Sequence, residues 1–240
     1  MAAPLNLLCV GLTTLDITVR PVESLPDGET GQIVEKIALS PAGTAGGTAF
    51  VAQRLGLRTA LSSAVGDDPQ GQIVRSMLEG AGVDTSMLAV DPHWPTSTTV
   101  LPIRPNGDRP NWHMMGASVF APVGEAEVAA LDRTRNVHWA GVGFPGTMGK
   151  GSDFLREAQA RGLFTTCDLI APSEAAQTDL DALLPHVDLF MPSVAELREL
   201  AGTDDPVEGA RRFMARGAKG CLVKLGGDGA LLVLPDEQIH

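Results

Sequence analysis

The residues with the clearest chemical potential lie between Ser40 and Gly56, where the sequence reads SPAGTAGGTAFVAQRLG. Gly43, Gly46 and Gly47 fall within five positions and lead into a segment of helical character. Glycines ahead of a helix let backbone N–H groups approach a ligand, and the helix dipole favours an anion there. The spacing is that of neither a P-loop nor G-x-G-x-x-G. Ligand binding and tight packing of the turn both stay open on this pattern alone.

Composition limits the classes of protein and partner that the sequence can represent. The 240 residues carry a formal net charge of −11, which argues against nucleic acid because such a partner needs clustered Lys and Arg. Cys9, Cys167 and Cys221 are widely separated, so the sequence favours a reducing cytoplasm over a disulfide framework. No apolar stretch approaches membrane-spanning length, and no membrane association is expected. The five scattered histidines give no support for a zinc site.

From Arg58 onward, apolar segments alternate with amphipathic ones. RTALSSAVG predicts a strand and DDPQGQIVRSMLEGAG a helix, with Asp68 as N-cap and Pro69 as the first helical residue. Asp67 and Asp68 are therefore expected to form a turn and a cap rather than to catalyse. Continuous apolar strands separated by amphipathic helices predict an α/β fold with a doubly wound, mostly parallel sheet and helices on both faces.

Two segments, about 13–39 and 95–115, break this alternation. Both are β-rich, alternate in polarity and contain turn signals such as PDGETG and RPNGDRP. One interpretation is a small separate β-sheet above the carboxyl edge of the main sheet, where it would act as a lid that excludes water. The alternative is a pair of unrelated surface hairpins.

The order of these segments resembles the PfkB, or ribokinase-like, family of carbohydrate and nucleoside kinases. VGLTTLDITV is similar to the family's opening strand and aspartate, PAGTAGGTAFVAQRLG to its Gly-Gly signature, and SSAVGDDPQGQIVRSMLEGAGVD to its strand, turn and helix. TSTTVLPIRPNGDRPNWHMMGAS resembles its second lid excursion, DLFMPSVAEL its N-x-x-E segment, and CLVKLGGDGALLV its glycine turn at the nucleotide side. The resemblance covers nearly the whole chain, as one domain over residues 1–240, and six motifs in order make it specific.

On the acceptor side, the resemblance implies transfer of the ATP γ-phosphoryl group to a hydroxyl of a sugar or related polyol. Asp16 matches the carboxylate that holds substrate hydroxyls, and carboxylate oxygens accept hydrogen bonds from such groups. Gly43 would let the backbone approach the sugar. Gly47 falls where many relatives carry asparagine, so the resemblance does not identify the sugar. A nucleoside is the alternative acceptor, although the sequence has no Tyr and few aromatic residues to stack on a base.

On the nucleotide side, the resemblance implies ATP and Mg²⁺. Glu196 matches a glutamate that organises the metal and its waters, and it also completes a Ser-x-x-Glu capping box with Ser193. Asp168 is a second candidate, for a water-mediated metal contact, with a helix cap as the alternative. Lys224 and the amide of Gly226 are expected to bind the nucleotide phosphates. A lysine that extends from a strand end into solvent is the alternative for Lys224.

The family's most specific motif, G-A-G-D, is absent from the sequence up to His240. Its aspartate is the general base, and its helix N-terminus forms an anion hole, so no catalytic residue is assigned in these 240 residues. We expect an incomplete chain that is inactive as it stands. The alternative is a non-catalytic sugar-binding regulator on the same fold. Relatives often pair through the lid, and a homodimer through this sheet is therefore possible.

Overall fold

The computed structural model of the protein describes residues 4–170 and 172–240. The strands in these residues are β1 (Leu5–Gly11), β2 (Thr14–Arg20), β3 (Lys36–Ala42), β4 (Thr59–Gly66), β5 (Asp84–Asp91), β6 (Thr98–Pro102), β7 (Trp112–Met114), β8 (Thr134–Ala140), β9 (Phe164–Cys167), β10 (Leu189–Phe190), β11 (Cys221–Lys224), β12 (Ala230–Val233) and β13 (Gln238–Ile239). The α-helices are α1 (Gly46–Arg54), α2 (Pro69–Ala81), α3 (Glu125–Ala130), α4 (Gly151–Ala160), α5 (Glu174–Leu183), α6 (Val194–Ala201) and α7 (Pro206–Ala215).

The main sheet has the strand order β13-β12-β11-β10-β9-β8-β1-β4-β5. The pairs from β11 to β5 are parallel, and β12 and β13 add an antiparallel edge. The chain starts in the middle of the sheet, at β1, and winds outward in both directions, which confirms the predicted doubly wound fold. The order reverses beside β1, and ligands of open α/β sheets bind at the carboxyl edge of such a position.

Alternation along β1 explains why both faces of the sheet are covered. Leu8 and Val10 are buried in a cluster with Leu155 of α4 and other helical residues. Cys9, which lies between them, is buried in a second cluster with Leu78 of α2 and Ala49 of α1. Successive side chains of a strand point to opposite faces, so one apolar strand contributes to two cores.

The turn between β4 and α2 forms as predicted. Asp68 is the N-cap of α2, where its carboxylate accepts from the Gly71 N–H at 2.8 Å, and Pro69 occupies the first turn. The same carboxylate also accepts from the backbone N–H and the hydroxyl of Thr96, at 2.8 and 2.6 Å. Burial raises the pKa of Asp68, but the hydrogen bonds from Thr96 and Gly71 outweigh it and hold the pKa below its ordinary value. Asp68 therefore ties α2 to the segment that precedes β6.

The two segments that break the alternation, about 13–39 and 95–115, form a single four-stranded sheet with the order β3-β2-β6-β7. The parallel pair of β2 and β6 joins them, so the two segments are not unrelated hairpins. The first segment extends farther than predicted, because β3 ends at Ala42 rather than Leu39. We call this element the small sheet.

The small sheet has one polar and one apolar face. Asp16 pairs with Thr99 and Thr99 with His113, so these three side chains form a row on the face that we call inner. The residues of the opposite, outer face are mostly apolar, and four of them are well exposed: Ile37, Leu39, Trp112 and Met114. Among the described residues, no helix is both long and apolar enough to span a membrane.

Candidate functional site

A cavity of about 430 Å³ lies between the inner face of the small sheet and the carboxyl edge of the main sheet. From the small sheet it is lined by polar groups, Asp16, Thr99 and His113 among them. From the main sheet it is lined by residues that follow β1, β8 and β9, namely Leu12, Phe144 and Ile170, and by Gly43 before α1. The predicted acceptor residues Asp16 and Gly43 therefore share one cavity of the size usual for small-molecule sites.

Asp16 is half-buried in the wall of this cavity. Its Oδ1 atom accepts from the Thr14 hydroxyl at 3.0 Å, and Oδ2 has no hydrogen bond to the described residues. In the same row, the Thr99 hydroxyl lies 3.0 Å from Nδ1 of His113. Sequence reasoning did not select Thr99, Asn111 or His113, which also line the cavity. The alternation of polar and apolar residues in NWHM, from Asn111 to Met114, is the signal that could have found Asn111 and His113.

At Gly43 the cavity wall is formed by backbone in a conformation that residues other than glycine rarely adopt. Its φ is +82°, and a Cβ added there would lie 2.6 Å from the carbonyl oxygen of Leu12. That carbonyl already accepts from the N–H groups of Ala45 and Gly46, at 2.9 and 3.0 Å. The glycine is thus required both by its backbone conformation and by a close approach.

Gly47 occupies a different environment. It is the second residue of α1 and is not among the residues that line the cavity. A Cβ at Gly47 would meet Ala42 at 3.5 Å, which is an ordinary van der Waals contact. The structure therefore brings Asp16 and Gly43 together but leaves Gly47 outside.

Asp168 and Lys224 meet at the carboxyl ends of β9 and β11. The Lys224 ammonium donates to Oδ1 of Asp168 at 2.7 Å, and the Leu169 N–H donates to the same oxygen at 2.8 Å. Burial raises the pKa of Asp168, although the Lys224 charge opposes this shift. The cap alternative for Asp168 is wrong, because Ser173 caps the following helix α5. The Lys224 side chain is 41% exposed and forms an ion pair with Asp168.

Glu196 lies in the capping box predicted for α6. The Ser193 N–H donates to Oε2 of Glu196 at 2.6 Å, and the Glu196 N–H donates to the Ser193 hydroxyl at 3.3 Å. Ser193 also forms a parallel bridge with Lys224, whose N–H donates to the Pro192 carbonyl at 2.8 Å. Gly226 is exposed, with φ of +64°, in the turn after β11.

His138 lies beneath the site and was not selected from the sequence. It is 2% exposed, and its Nε2 and Nδ1 atoms contact the Thr44 carbonyl at 3.2 Å and the Thr166 hydroxyl at 2.9 Å. Burial lowers the pKa of His138 to about 4, so the ring is neutral at pH 7. Because a carbonyl can only accept, the proton is assigned to Nε2. His138 thereby holds the turn that carries Gly43.

No three His, Cys, Asp or Glu side chains in residues 4–170 and 172–240 converge in a cluster that could hold a metal ion. The three cysteines are free and buried, and burial raises the pKa of Cys9 and Cys167 above the range of reactive thiols.

Two curated proteins show what the chain is similar to in sequence. The chain is 29% identical over 156 residues to a nucleoside kinase of Methanothermobacter thermautotrophicus, covering 65% of this chain and 50% of that protein. It is 28% identical over 203 residues to a fructokinase of Klebsiella pneumoniae, covering 81% of this chain and 64% of that protein. The chain thus spans half to two-thirds of the length of these curated relatives.

Solved structures agree on the fold. The ribokinase of Arabidopsis thaliana, complexed with ribose and ATP, superposes with a TM-score of 0.77 at 20% identity, over 100% of this chain and 78% of that one. A fructokinase of Halothermothrix orenii superposes with a TM-score of 0.79 at 18% identity, over 98% of this chain and 85% of that one. The model of the pfkB family of carbohydrate kinases matches residues 5–240, and the chain therefore belongs to this family.

Proposed function

We propose that the protein is a kinase that transfers the γ-phosphoryl group of ATP to a hydroxyl of a sugar or related polyol. The observation that carries this proposal is the cavity that the carboxylate of Asp16 and the positive-φ backbone of Gly43 line together. A carboxylate oxygen without a protein donor suits a substrate hydroxyl, and exposed backbone suits a second one. The general base is not assigned among these residues and stays a prediction for a G-A-G-D segment.

The small sheet supplies the means to exclude water. It covers one side of the cavity, and bound acceptor would occupy the space that water otherwise fills. Phosphoryl transfer to a sugar competes with hydrolysis of ATP, so a covered site favours the intended acceptor. We propose that the small sheet serves as the lid of the acceptor site.

The nucleotide side is proposed to lie at the Asp168–Lys224 pair and the Gly226 turn. Oδ2 of Asp168 and Oε1 of Glu196 accept no hydrogen bond from the described residues. Carboxylate oxygens of this kind fit Mg²⁺, which keeps several of its waters and binds through few protein ligands. When bound, the metal would neutralise phosphate charge, while Lys224 would bind a phosphate as a point charge.

The test uses the protein with the predicted G-A-G-D segment, because residues 1–240 alone are expected to be inactive. Acceptor-dependent release of ADP is measured with D-fructose, D-ribose and adenosine as probes, and calorimetry beside the activity assay measures binding. We expect ADP release and a saturable heat of binding with one of the sugars. Binding of a sugar without ADP release would favour the alternative, a non-catalytic sugar-binding regulator. If no probe binds and none is phosphorylated, the proposal is wrong.

A nucleoside acceptor is the second candidate. The cavity has an apolar side formed by Met115, Phe144 and Ile170, which suits a base better than it suits a free hexose. One relative is itself a nucleoside kinase. Preference for adenosine over both sugars in the same assay would select this candidate.

Replacing Lys224 with Met is expected to weaken ATP binding by about tenfold or more, because hydrogen bonds to charged groups contribute roughly 1.5–3 kcal/mol. Calorimetry with an ATP analogue and Mg²⁺ measures the change, and the affinity for the acceptor should stay the same. Lys219→Met is the matched control, since Lys219 forms a surface ion pair with Asp188 at 2.6 Å. Equal ATP affinity in the two variants would exclude Lys224 from the nucleotide site.

A homodimer through the small sheet is our proposal for assembly. Ile37 and Leu39 lie on β3, an edge strand, and both are exposed on the outer face. An unpaired edge beside an apolar face can meet the same edge of a second copy about a two-fold axis. We expect a dimer by sedimentation and a monomer for Ile37→Lys, whereas Val51→Lys, at an exposed apolar residue of α1, should stay dimeric. A monomeric wild-type protein would contradict the proposal.

A further inference from the structure

The segment between β8 and α4 forms one wall of the acceptor cavity. It covers residues 141–150, reads GVGFPGTMGK, and contributes Phe144 to the cavity lining. No residue of this segment was assigned a role from the sequence. The carboxyl end of β8 places it directly above the main sheet, next to the first strand.

The segment is held from below by Asp179 of α5. The Gly143 N–H donates to Oδ2 of Asp179 at 2.9 Å, and the Gly149 N–H donates to Oδ1 at 3.2 Å. The two glycines stand at opposite ends of the turn that carries Phe144. One carboxylate therefore closes the whole turn with two hydrogen bonds.

Asp179 is an unusual residue to hold a turn, because its carboxylate is buried. It is 4% exposed, and within the described residues it forms no ion pair with Lys, Arg or His. A buried carboxylate without a cation is costly unless hydrogen bonds satisfy it, and here backbone N–H groups are its donors. The N–H groups of Gly143 and Gly149 are thus the groups that stabilise the buried carboxylate.

The turn is also in close contact with its surroundings on two sides. Gly143 has φ of +74°, and a Cβ there would lie 2.8 Å from the backbone of Ala176 on α5. On the other side, the Gly146 N–H donates to the carbonyl of Val119 at 3.0 Å, and Val119 also lines the cavity. The turn is thus packed between α5 and the cavity wall, and the hydrogen bonds to the Asp179 carboxylate fix its distance from α5.

We infer that Asp179 is a positioning residue of the acceptor site, because its carboxylate fixes the 143–149 turn and, through it, the Phe144 wall of the cavity. The inference rests on the proposed function, since it takes this cavity to be where the acceptor binds. Asp179 is not among the residues that line the cavity. It acts on acceptor affinity and leaves nucleotide affinity unchanged.

Amide hydrogen exchange tests the hydrogen bonds themselves, without any substrate. In Asp179→Asn, the new amide group donates rather than accepts, so one of the two glycine N–H groups loses its partner. We expect exchange at Gly143 or Gly149 to accelerate about tenfold, since hydrogen bonds to charged groups are worth roughly this factor or more. Asp181→Asn is the matched control, because Asp181 lies on the same helix and pairs with Arg216 at the surface. Unchanged exchange at both glycines would overturn the inference.

Acceptor affinity tests the consequence. With whichever of D-fructose, D-ribose and adenosine binds the wild-type protein, Asp179→Asn should raise Kd or KM about tenfold, with kcat and the KM for ATP within about twofold. Phe144→Ala should have the same effect, and the double variant should be no worse than either single one, because both act through one wall. A merely structural role of Asp179 would instead lower stability and alter all constants together.

The outcomes separate the two proposals. If the wild-type protein binds an acceptor and Asp179→Asn keeps its affinity, the positioning role is wrong and the proposed function stands. If Asp179→Asn does not fold, Phe144→Ala tests the inference instead. Unchanged acceptor affinity in Phe144→Ala would show that this wall does not contribute to binding, and the inference would be wrong. If no acceptor binds the wild-type protein, both proposals fail.

Discussion

Replacing Asp16 with Asn is expected to weaken acceptor binding by about 100-fold, the upper part of the roughly 1.5–3 kcal/mol range for hydrogen bonds to a charged group. Thr14 donates to Oδ1 of Asp16, which leaves Oδ2 for the acceptor. An amide in that place keeps one acceptor atom but presents a donor to the substrate hydroxyl. Calorimetry with D-fructose or D-ribose gives the change in Kd, and steady-state assays give the change in kcat/KM.

Asp27→Asn is the control for Asp16→Asn. Asp27 lies between β2 and β3 and is exposed, so it carries the same change in charge without facing the cavity. Its acceptor affinity should equal that of the wild type. Retention of acceptor affinity in Asp16→Asn would show that Asp16 does not hold the substrate, and the acceptor site would have to lie elsewhere.

Gly43→Ala is expected to lower the free energy of unfolding by at least about 2 kcal/mol and to abolish acceptor binding, because left-handed backbone alone costs a non-glycine residue roughly 1–2 kcal/mol. The added methyl would also lie 2.6 Å from the Leu12 carbonyl oxygen, so the turn must shift away from the cavity wall. Denaturant unfolding measures the first effect, and calorimetry with the acceptor measures the second.

Gly47→Ala offers a matched comparison four residues away. Gly47 lies within α1, and its added methyl would meet Ala42 of β3 at 3.5 Å. We expect an equal or higher free energy of unfolding, since Ala gains roughly 0.5–1 kcal/mol over Gly in a helix. Equal loss of stability in both variants would contradict the special role of Gly43. Loss of acceptor binding in Gly47→Ala alone would indicate that the acceptor site lies nearer to α1.

Much of the fold could be predicted because its signals are local. Continuous apolar strands, amphipathic helices and caps depend on neighbouring residues, and β4, α2 and the Asp68 cap appeared where the sequence indicated them. The capping box of Ser193 and Glu196 is equally local. Asp16 and Gly43 were found through their place in a family's order of motifs.

The rest of the site depends on contacts that no local pattern encodes. His113 reaches the cavity only because β6 pairs with both β2 and β7, and Lys224 meets Asp168 only because β9, β10 and β11 are adjacent. Asp179 looks like an ordinary helical carboxylate in the sequence, and its burial depends on the packing of α5. Cross-strand register and helix packing thus decide which polar residues become functional candidates.

The parallel pairing of β2 with β6 has a consequence for the order of folding. The chain between these strands includes β4, α2 and β5, so the small sheet can close only after that long segment has been placed on the main sheet. Contacts of high sequence separation form late, because loop closure costs entropy before they contribute. The cavity between the two sheets is therefore complete only after β2 and β6 have paired, and we expect it to open whenever that pair separates. A bound acceptor, which touches both sheets, would slow that opening more than it would slow global unfolding.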